Sequence, residues 1–292
     1  MPQPDKPRHR SGYTAEATLQ VESTCLTVAA TLGGYLEDLC IVGGLVPSLL
    51  IDRVQGPDPD GDANHPGTND LDVGLAIALL DHQRYAAISE RLRQEGFGPD
   101  TNEAGHSVLQ RWRLGKLSVT VDFLIVPSTR NEPGRRVQPL ESDFGALVTP
   151  GLELAFEERV EVELAGHTLE GESLTRAIPV CGPAAFTVLK ALAFGDRAEP
   201  KDAYDLVYVL RRLASPDSIA ERLAEHRLRH DQTVERALTL LRRDFGTSES
   251  IGPRRAAAFE ATSDTDSVDL ATDAHGHIDD LLVACETAGF VR

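Results

Sequence analysis

Two aspartates lie one residue apart in the segment GTNDLDVGL, which otherwise has the composition of a hydrophobic β-strand. Successive side chains of a strand alternate between its two faces, so Asp70 and Asp72 point to the same face, about 7 Å apart. Two carboxylates this close repel each other unless a positive charge lies between them. The spacing therefore indicates a bound cation.

A third aspartate, Asp122, interrupts the apolar segment VTVDFLIV. A carboxylate in such a segment is costly to remove from water unless it is paired or binds a metal. Three carboxylates on strands offer the oxygen ligands of Mg²⁺ (or Mn²⁺), and two such ions about 3.5–4 Å apart promote in-line displacement of pyrophosphate. We predict a divalent-metal site at Asp70, Asp72 and Asp122; the alternative is a solvated surface strand.

A pair of glycines fits the same chemistry. The short apolar strand CIVGG ends in Gly43 and Gly44, and a helix is predicted to follow it. Glycine lets the backbone approach a triphosphate closely, and the first turn of a helix supplies free N–H groups. The order of these motifs along the chain is more specific than any one of them, and it predicts a triphosphate site beside the metal site.

Four segments resemble a known family. VGGLVPSLL, TNDLDVGLAI and VTVDFLIV resemble the motifs of the nucleotidyltransferase superfold, the DNA polymerase β-like family, and LKALAFGDRAEPKDAYDLVYVL resembles the third motif of its AbiEii toxin branch. The resemblance extends from about residue 40 to about residue 212. The matching residues are Gly43, Gly44, Thr68, Asp70, Asp72, Asp122, Lys190, Arg197, Lys201, Asp202 and Asp205.

The resemblance implies a toxin of a toxin–antitoxin pair that transfers a nucleoside monophosphate from an NTP to an acceptor such as tRNA or another RNA. It also implies a cognate antitoxin protein. The implied catalytic residues are Asp70, Asp72, Asp122, Lys190 and Asp205. The implied nucleotide-binding residues are Gly43, Gly44, Thr68, Lys190, Arg197, Lys201 and Asp202.

The helical motif also has a physical interpretation. Asp202 and Asp205 are three residues apart and share one face of a helix. Lys190 lies in the C-terminal half of the preceding helix, and a helix–turn–helix could bring it near them. Lys190 and Lys201 would then bind the NTP phosphates, with an acid that orients them or accepts a proton. The alternative is a solvated helix face, with Asp202 facing the helix dipole.

Periodicity predicts an α/β (α+β) catalytic domain with a mixed sheet, followed by a helical domain. We expect a flexible tail at 1–20, the catalytic domain at 21–150, and an accessory hairpin with the helical domain at 151–292. The predicted helices are 22–39, 45–52, 81–97, 181–195, 200–214, 215–227, 232–245 and 277–290, with a mobile linker at 263–276. The predicted strands are 40–44, 70–77, 107–115 and 117–126.

Composition narrows the functional classes. The sequence contains no apolar run of membrane-spanning length and no signal peptide. The four scattered cysteines indicate reduced thiols. We therefore expect a cytoplasmic protein without a membrane partner. The net charge of −17 is unlike that of a simple nucleic-acid binder and leaves a cationic small molecule of the aminoglycoside type as an alternative acceptor. A catalytically silent nucleotide-binding module and a DxD glycosyltransferase are further alternatives. His65 and His106 are expected on the surface, and Trp112 and Tyr208 in the core or at an interface.

Overall fold

The computed structural model describes residues 7–52, 64–76, 82–115, 117–128, 134–213, 215–262 and 264–290. Within these residues the chain forms two compact units. The first, here called the sheet unit, comprises the described parts of Tyr13–Leu49 and Pro66–Cys181. The second, the helical unit, comprises the described parts of Pro7–Gly12, Leu50–His65 and Gly182–Arg292.

A mixed β-sheet forms the sheet unit. Its strands among the described residues are β1 (Leu39–Val42), β2 (Asp70–Leu75), β3 (Phe97–Thr101), β4 (Ser107–Leu114), β5 (Thr120–Ile125), β6 (Val137–Pro139), β7 (Gly145–Val148), β8 (Arg159–His167) and β9 (Ser173–Cys181). Their order is β3-β4-β5-β2-β1-β9-β8, with β7 beside β5 and β6 beside β7. The predicted mixed sheet is confirmed, since β2 runs parallel to β5 and antiparallel to β1.

The register of the central strands places the motifs. Asp72 on β2 is paired with Asp122 on β5, and Asp122 is paired on its other side with Arg111 on β4. On the opposite side of β2, Asp72 is paired with Val42, the last residue of β1 before the two glycines. Directly paired residues of adjacent strands project from the same face, so this row crosses the sheet on one side. Every residue of β5 is buried.

Helices of the sheet unit pack on this sheet: α1 (Ala15–Leu32), α2 (His82–Gln94) and α3 (Leu152–Glu157). The Thr14 hydroxyl caps α1 by accepting a hydrogen bond from the backbone N–H of Ala17 at 3.1 Å. Helix α1 ends at Gly33, whose φ of +50° suits glycine. The predicted helix 22–39 was therefore wrong at both ends, because the cap lies further upstream and Gly33–Asp38 forms a 3₁₀-helix.

The helical unit contains α4 (Pro183–Arg197), α5 (Pro200–Arg212), α6 (Pro216–Phe245), α7 (Ile251–Glu260) and α8 (Asp264–Thr287). The helices α4, α5 and α6 each begin with a proline, which suits the first turn because its missing N–H has no partner to lose there. Helix α4 packs on α5 and α6, and α8 packs on α6 and α7. No helix among the described residues has the length and apolar character needed to cross a lipid bilayer.

Three features of the helical unit differ from the prediction. The predicted helices 215–227 and 232–245 are joined in α6, which is kinked at His230 with φ −130° and ψ 41°. The predicted linker 263–276 is helical from residue 264 and belongs to α8. Helix α7 was not predicted. Helix α7 packs on α5 and α8, and α8 packs on α6 and α7, so both helices have tertiary contacts that a local pattern does not record.

The units also divide differently from the predicted domains. The accessory hairpin, β8 with β9, belongs to the sheet unit because β9 pairs in parallel with β1 at Ile41 and Val180. The boundary between the units therefore falls after Cys181, not near residue 150. Of the expected tail at 1–20, residues 1–6 lie outside the described residues; residues 7–12 belong to the helical unit, and α1 begins at Ala15.

An aromatic cluster on the sheet provides a stability test. Phe144 packs against Trp112 and Phe123 with ring centroids 5.3 and 5.1 Å away, and all three are fully buried. We expect Phe144→Ala to lower the free energy of unfolding by about 3–5 kcal/mol, because it leaves a cavity. Urea unfolding can be followed by the fluorescence of Trp112, the single tryptophan. The control Leu19→Ala, at a side chain that is 57% exposed, should change stability by less than about 0.5 kcal/mol; equal losses would contradict this account.

Candidate active site

Three carboxylates lie on one face of the sheet unit. Asp72 and Asp122 are direct neighbours across β2 and β5, and Asp70 lies two residues before Asp72 on the same face. Adjacent strands are about 4.8 Å apart, so these acids are close enough to share a cation. Asp70 and Asp122 are only 7% and 9% exposed, which makes their charges costly unless they are compensated.

Arg111 supplies a positive charge to this cluster. Its Nε and Nη2 groups each donate a hydrogen bond at 2.7 Å to one carboxylate oxygen of Asp122. The hydrogen bonds with Asp122 raise the pKa of Arg111 against the opposing effect of burial, and the charges of Asp70 and Asp72 act in the same direction. Sequence reasoning missed Arg111. The sequence QRWRL offered one signal, because Arg111 alternates with the buried Trp112. That Asp122 is the partner of Arg111 follows only from the strand register.

Thr68 positions Asp70. The Thr68 hydroxyl donates a hydrogen bond at 2.8 Å to Oδ1 of Asp70, and Thr68 is only 3% exposed. It was predicted as a nucleotide-binding residue; in the structure it orients a carboxylate two residues further along the chain.

The two glycines follow β1 directly and begin a 3₁₀ turn, Gly43–Leu45. A helix was predicted at 45–52. In the structure, the second half of that segment is a π-helical turn, Ser48–Asp52. Gly43 has a φ of +73°, and a Cβ placed on it would overlap the carboxylate of Asp72. Only glycine allows this close approach without strain. Gly44 is buried next to it. The predicted proximity of the glycines to the acidic pair is therefore present within the sheet unit.

The carboxylate oxygens of Asp70, Asp72 and Asp122 are possible ligands for a metal ion. Carboxylate oxygens on adjacent strands are the ligands that Mg²⁺ and Mn²⁺ prefer, and in that chemistry Asp70, Asp72 and Asp122 fit such an ion. Among the described residues, however, no three His, Cys, Asp or Glu side chains are already arranged to hold a metal. Both oxygens of Asp122 instead accept hydrogen bonds from Arg111.

The lysine motif forms a second cluster, inside the helical unit. The Lys190 ammonium on α4 donates hydrogen bonds to Asp202 at 3.0 Å and to Asp205 at 2.7 Å, both on α5. Lys201 donates to the other oxygen of Asp205 at 2.7 Å, and Arg197 donates to Asp202 at 2.8 Å. All five residues of the predicted motif are therefore brought together by the helix pair α4 and α5.

His65 belongs to this second cluster, so its expected surface position is wrong, whereas His106 is exposed as expected. The Nε2 of His65 lies 2.8 Å from Oδ1 of Asp205, and the His65 ring packs on Tyr204 and Tyr208 with ring centroids 5.7 and 5.0 Å away. Its backbone N–H donates to Asp52 at 3.1 Å. Sequence reasoning missed this because the partner acid lies 140 residues away along the chain.

The cluster shifts the pKa values of Lys190, Asp202 and Asp205. Burial alone would lower the pKa of Lys190, but the carboxylates of Asp205 and Asp202 outweigh it and raise this pKa. Burial opposes ionisation of Asp202, yet Lys190 and Arg197 bring its pKa down to about 2. The pKa of Asp205 is held well below its ordinary value by Lys190, Lys201 and His65, against the effect of burial. Lys190, Asp202 and Asp205 are therefore charged at neutral pH.

His65 is the exception, because it is neutral. Burial and the charge of Lys201 lower the pKa of His65 to about 4, against the pull of Asp205. Since Asp205 is an ionised acceptor, the Nε2 of the neutral ring carries the proton and donates it in the hydrogen bond.

Comparison with known proteins then identifies the family. Residues 68–275 match the family described as Nucleotidyl transferase AbiEii toxin, Type IV TA system. The chain belongs to the AbiEii nucleotidyltransferase toxin family. The AbiEii match covers Asp70, Asp72, Asp122 and the whole lysine motif, and it begins after Gly43 and Gly44. No match to a curated protein was found.

The contact between Gly43 and Asp72 predicts a specific intolerance. We expect Gly43→Ala to lower the free energy of unfolding by about 1–3 kcal/mol, because the methyl group collides with the Asp72 carboxylate and the backbone has a positive φ. Gly34→Ala is the control, since a Cβ there meets no atom within 4 Å. Chemical denaturation of both variants provides the measurement, and equal stabilities would contradict the proposed close approach.

The buried neutral His65 predicts a pH dependence. Its pKa lies at about 4 in the folded protein against 6.5 as a model value, so the unfolded chain takes up the proton first as the pH falls. Stability should therefore be unaffected by His65 above pH 6.5 and should fall by about 3 kcal/mol between pH 6.5 and pH 4. His65→Gln keeps an N–H donor without titrating and should flatten this decline. His106→Gln, at an exposed histidine, should leave the wild-type profile unchanged; identical profiles for the wild type and His65→Gln would contradict the assignment.

Proposed function

We propose that this AbiEii protein is a metal-dependent nucleotidyltransferase that transfers a nucleoside monophosphate from an NTP to a hydroxyl acceptor. The observation that supports this most directly is the register of β2 with β5, which places Asp72 and Asp122 side by side with Asp70 on the same face. A solvated surface strand does not account for it, since Asp70 and Asp122 are buried.

Asp70, Asp72 and Asp122 would hold Mg²⁺ or Mn²⁺. When bound, such ions neutralise charge on the phosphates and lower the pKa of the attacking hydroxyl. The acceptor oxygen would attack the α-phosphorus of the NTP, a new oxygen–phosphorus bond would form, and the bond to the β-phosphate oxygen would break to release pyrophosphate. Asp122 is our candidate for accepting the proton of the hydroxyl. Thr68 would keep Asp70 in its orientation through their hydrogen bond.

Both units hold candidate nucleotide-binding residues. Within the sheet unit, Gly43 and Gly44 would present the backbone to a triphosphate, because neither carries a side chain that blocks the approach. Within the helical unit, Lys190 and Lys201 are our candidates for ammonium groups that bind phosphate. The ion pair of Arg197 and Asp202 belongs to the same set of candidates.

The sequence left two roles open for an acid of this motif, to orient the lysines or to accept a proton, and for Asp205 we propose the first. Its side chain is fully buried, and its two oxygens accept hydrogen bonds from Lys190, Lys201 and His65. It would therefore act as a positioning residue that holds both lysines, and not as a group that touches the acceptor hydroxyl.

For the acceptor we propose tRNA or another RNA, with a cognate antitoxin as the protein partner in the cytoplasm. The family description, a toxin of a type IV toxin–antitoxin system, supports this choice. The net charge of −17 supports a second candidate, a cationic small molecule of the aminoglycoside type, because an acidic protein attracts such an acceptor and repels RNA.

The test incubates the protein and Mg²⁺ with each of the four labelled NTPs, in one set with total RNA and in another with aminoglycosides. We expect label on RNA with the wild type. Asp72→Asn should fold normally by circular dichroism and lose transfer by about 100-fold or more, because even outer partners of a metal cost up to about 100-fold.

Glu163→Gln is the control, because it removes one charge from an exposed position on β8. Full transfer by Asp72→Asn would overturn the metal assignment. Label on the aminoglycoside alone would overturn the RNA acceptor. Magnesium-dependent NTP binding without transfer to any acceptor would identify a silent nucleotide-binding module.

A further inference from the structure

The side chain that occupies the carboxylate cluster is Arg111. The three acids need a positive charge, and the bidentate pair with Asp122 provides it without a metal ion. Arg111 lies directly across from Asp122 in the antiparallel ladder of β4 and β5, so the pair is built into the sheet. The two side chains are 20% and 12% exposed, so solvent screens their attraction only partly.

A divalent cation and the guanidinium group both need the carboxylate oxygens of Asp122. The fork of Arg111 already takes one lone pair of each oxygen, so a metal ion would have to share both oxygens with another cation. The positive charge of Arg111 would also repel a metal ion held one strand away by Asp72. Both effects oppose the simultaneous presence of Arg111 and a metal at Asp122.

We propose that Arg111 is an internal counter-cation that competes with the divalent metal for Asp122 and must leave this carboxylate for the metal to bind. This inference rests on the proposed metal site. Arg111 would thereby set the metal affinity of the protein and keep the cluster neutralised while no metal is present. Once displaced, its guanidinium would remain beside the site as a donor for phosphate oxygens.

The experiment measures Mn²⁺ binding by electron paramagnetic resonance of the free ion, without nucleotide and without any assay of transfer. Arg111→Gln should bind Mn²⁺ at least about tenfold more tightly than the wild type, because the competing charge is gone. The same variant should have a lower Tm than the wild type without metal, and saturating Mn²⁺ should remove most of that difference.

Arg113→Gln is the matched control. Arg113 is two residues further along β4 on the same face, and its Nη2 donates to Asp100 at 2.6 Å. Its replacement removes the same charge from the same strand but leaves Asp122 paired, so the Mn²⁺ affinity should stay within about twofold of the wild type. If Arg111→Gln does not fold, Arg111→Lys replaces it: a lysine lacks the fork, and Mn²⁺ binding should still be tighter than in the wild type.

The outcomes separate the inference from the proposed function. Unchanged or weaker Mn²⁺ binding by Arg111→Gln, together with loss of binding in Asp72→Asn, would overturn the competition and leave the metal site standing. Equal gains in Arg111→Gln and Arg113→Gln would also overturn it, since the effect would then be one of general charge. Absence of Mn²⁺ binding in the wild type and in Arg111→Gln alike would overturn both proposals.

Discussion

The parallel pairing of β2 with β5 is the constraint on which the candidate site depends. It makes Asp72 and Asp122 neighbours across about 4.8 Å, with Asp122 on a strand that is buried throughout. Like charges at that distance destabilise the fold unless a cation compensates them. The structure meets this need with Arg111, which forms an ion pair with Asp122.

The helical unit also contains buried charges, and it compensates them with several hydrogen-bonded partners at once. Its cations and carboxylates are buried together, and their mutual hydrogen bonds compensate for the loss of water around Lys190 and Asp205. The neutral ring of His65 completes the shell of Asp205 without adding a further charge. Such a network holds the two lysines in one geometry within the helical unit.

Much of the fold could be predicted from local patterns, and the failures have a common cause. The strands β2 and β5 and the helices α4 and α5 follow their periodicity, since each has a clear apolar face or a wholly apolar core. The first part of α8 does not, because its segment is polar, although it is helical in the structure. A hairpin was predicted near β8 and β9 and grouped with the helical domain, whereas it lies in the sheet unit, because its pairing with β1 is not local.

The candidate site shows the same division. The sequence alone determined that Asp70 and Asp72 share a face and that Asp202 and Asp205 do so too, because strand and helix periods depend only on neighbouring residues. Only the tertiary structure decided that Arg111 pairs with Asp122 and that His65 is buried against Asp205. Strand register and helix packing join residues that are distant along the chain, and no local period records which partners they bring together.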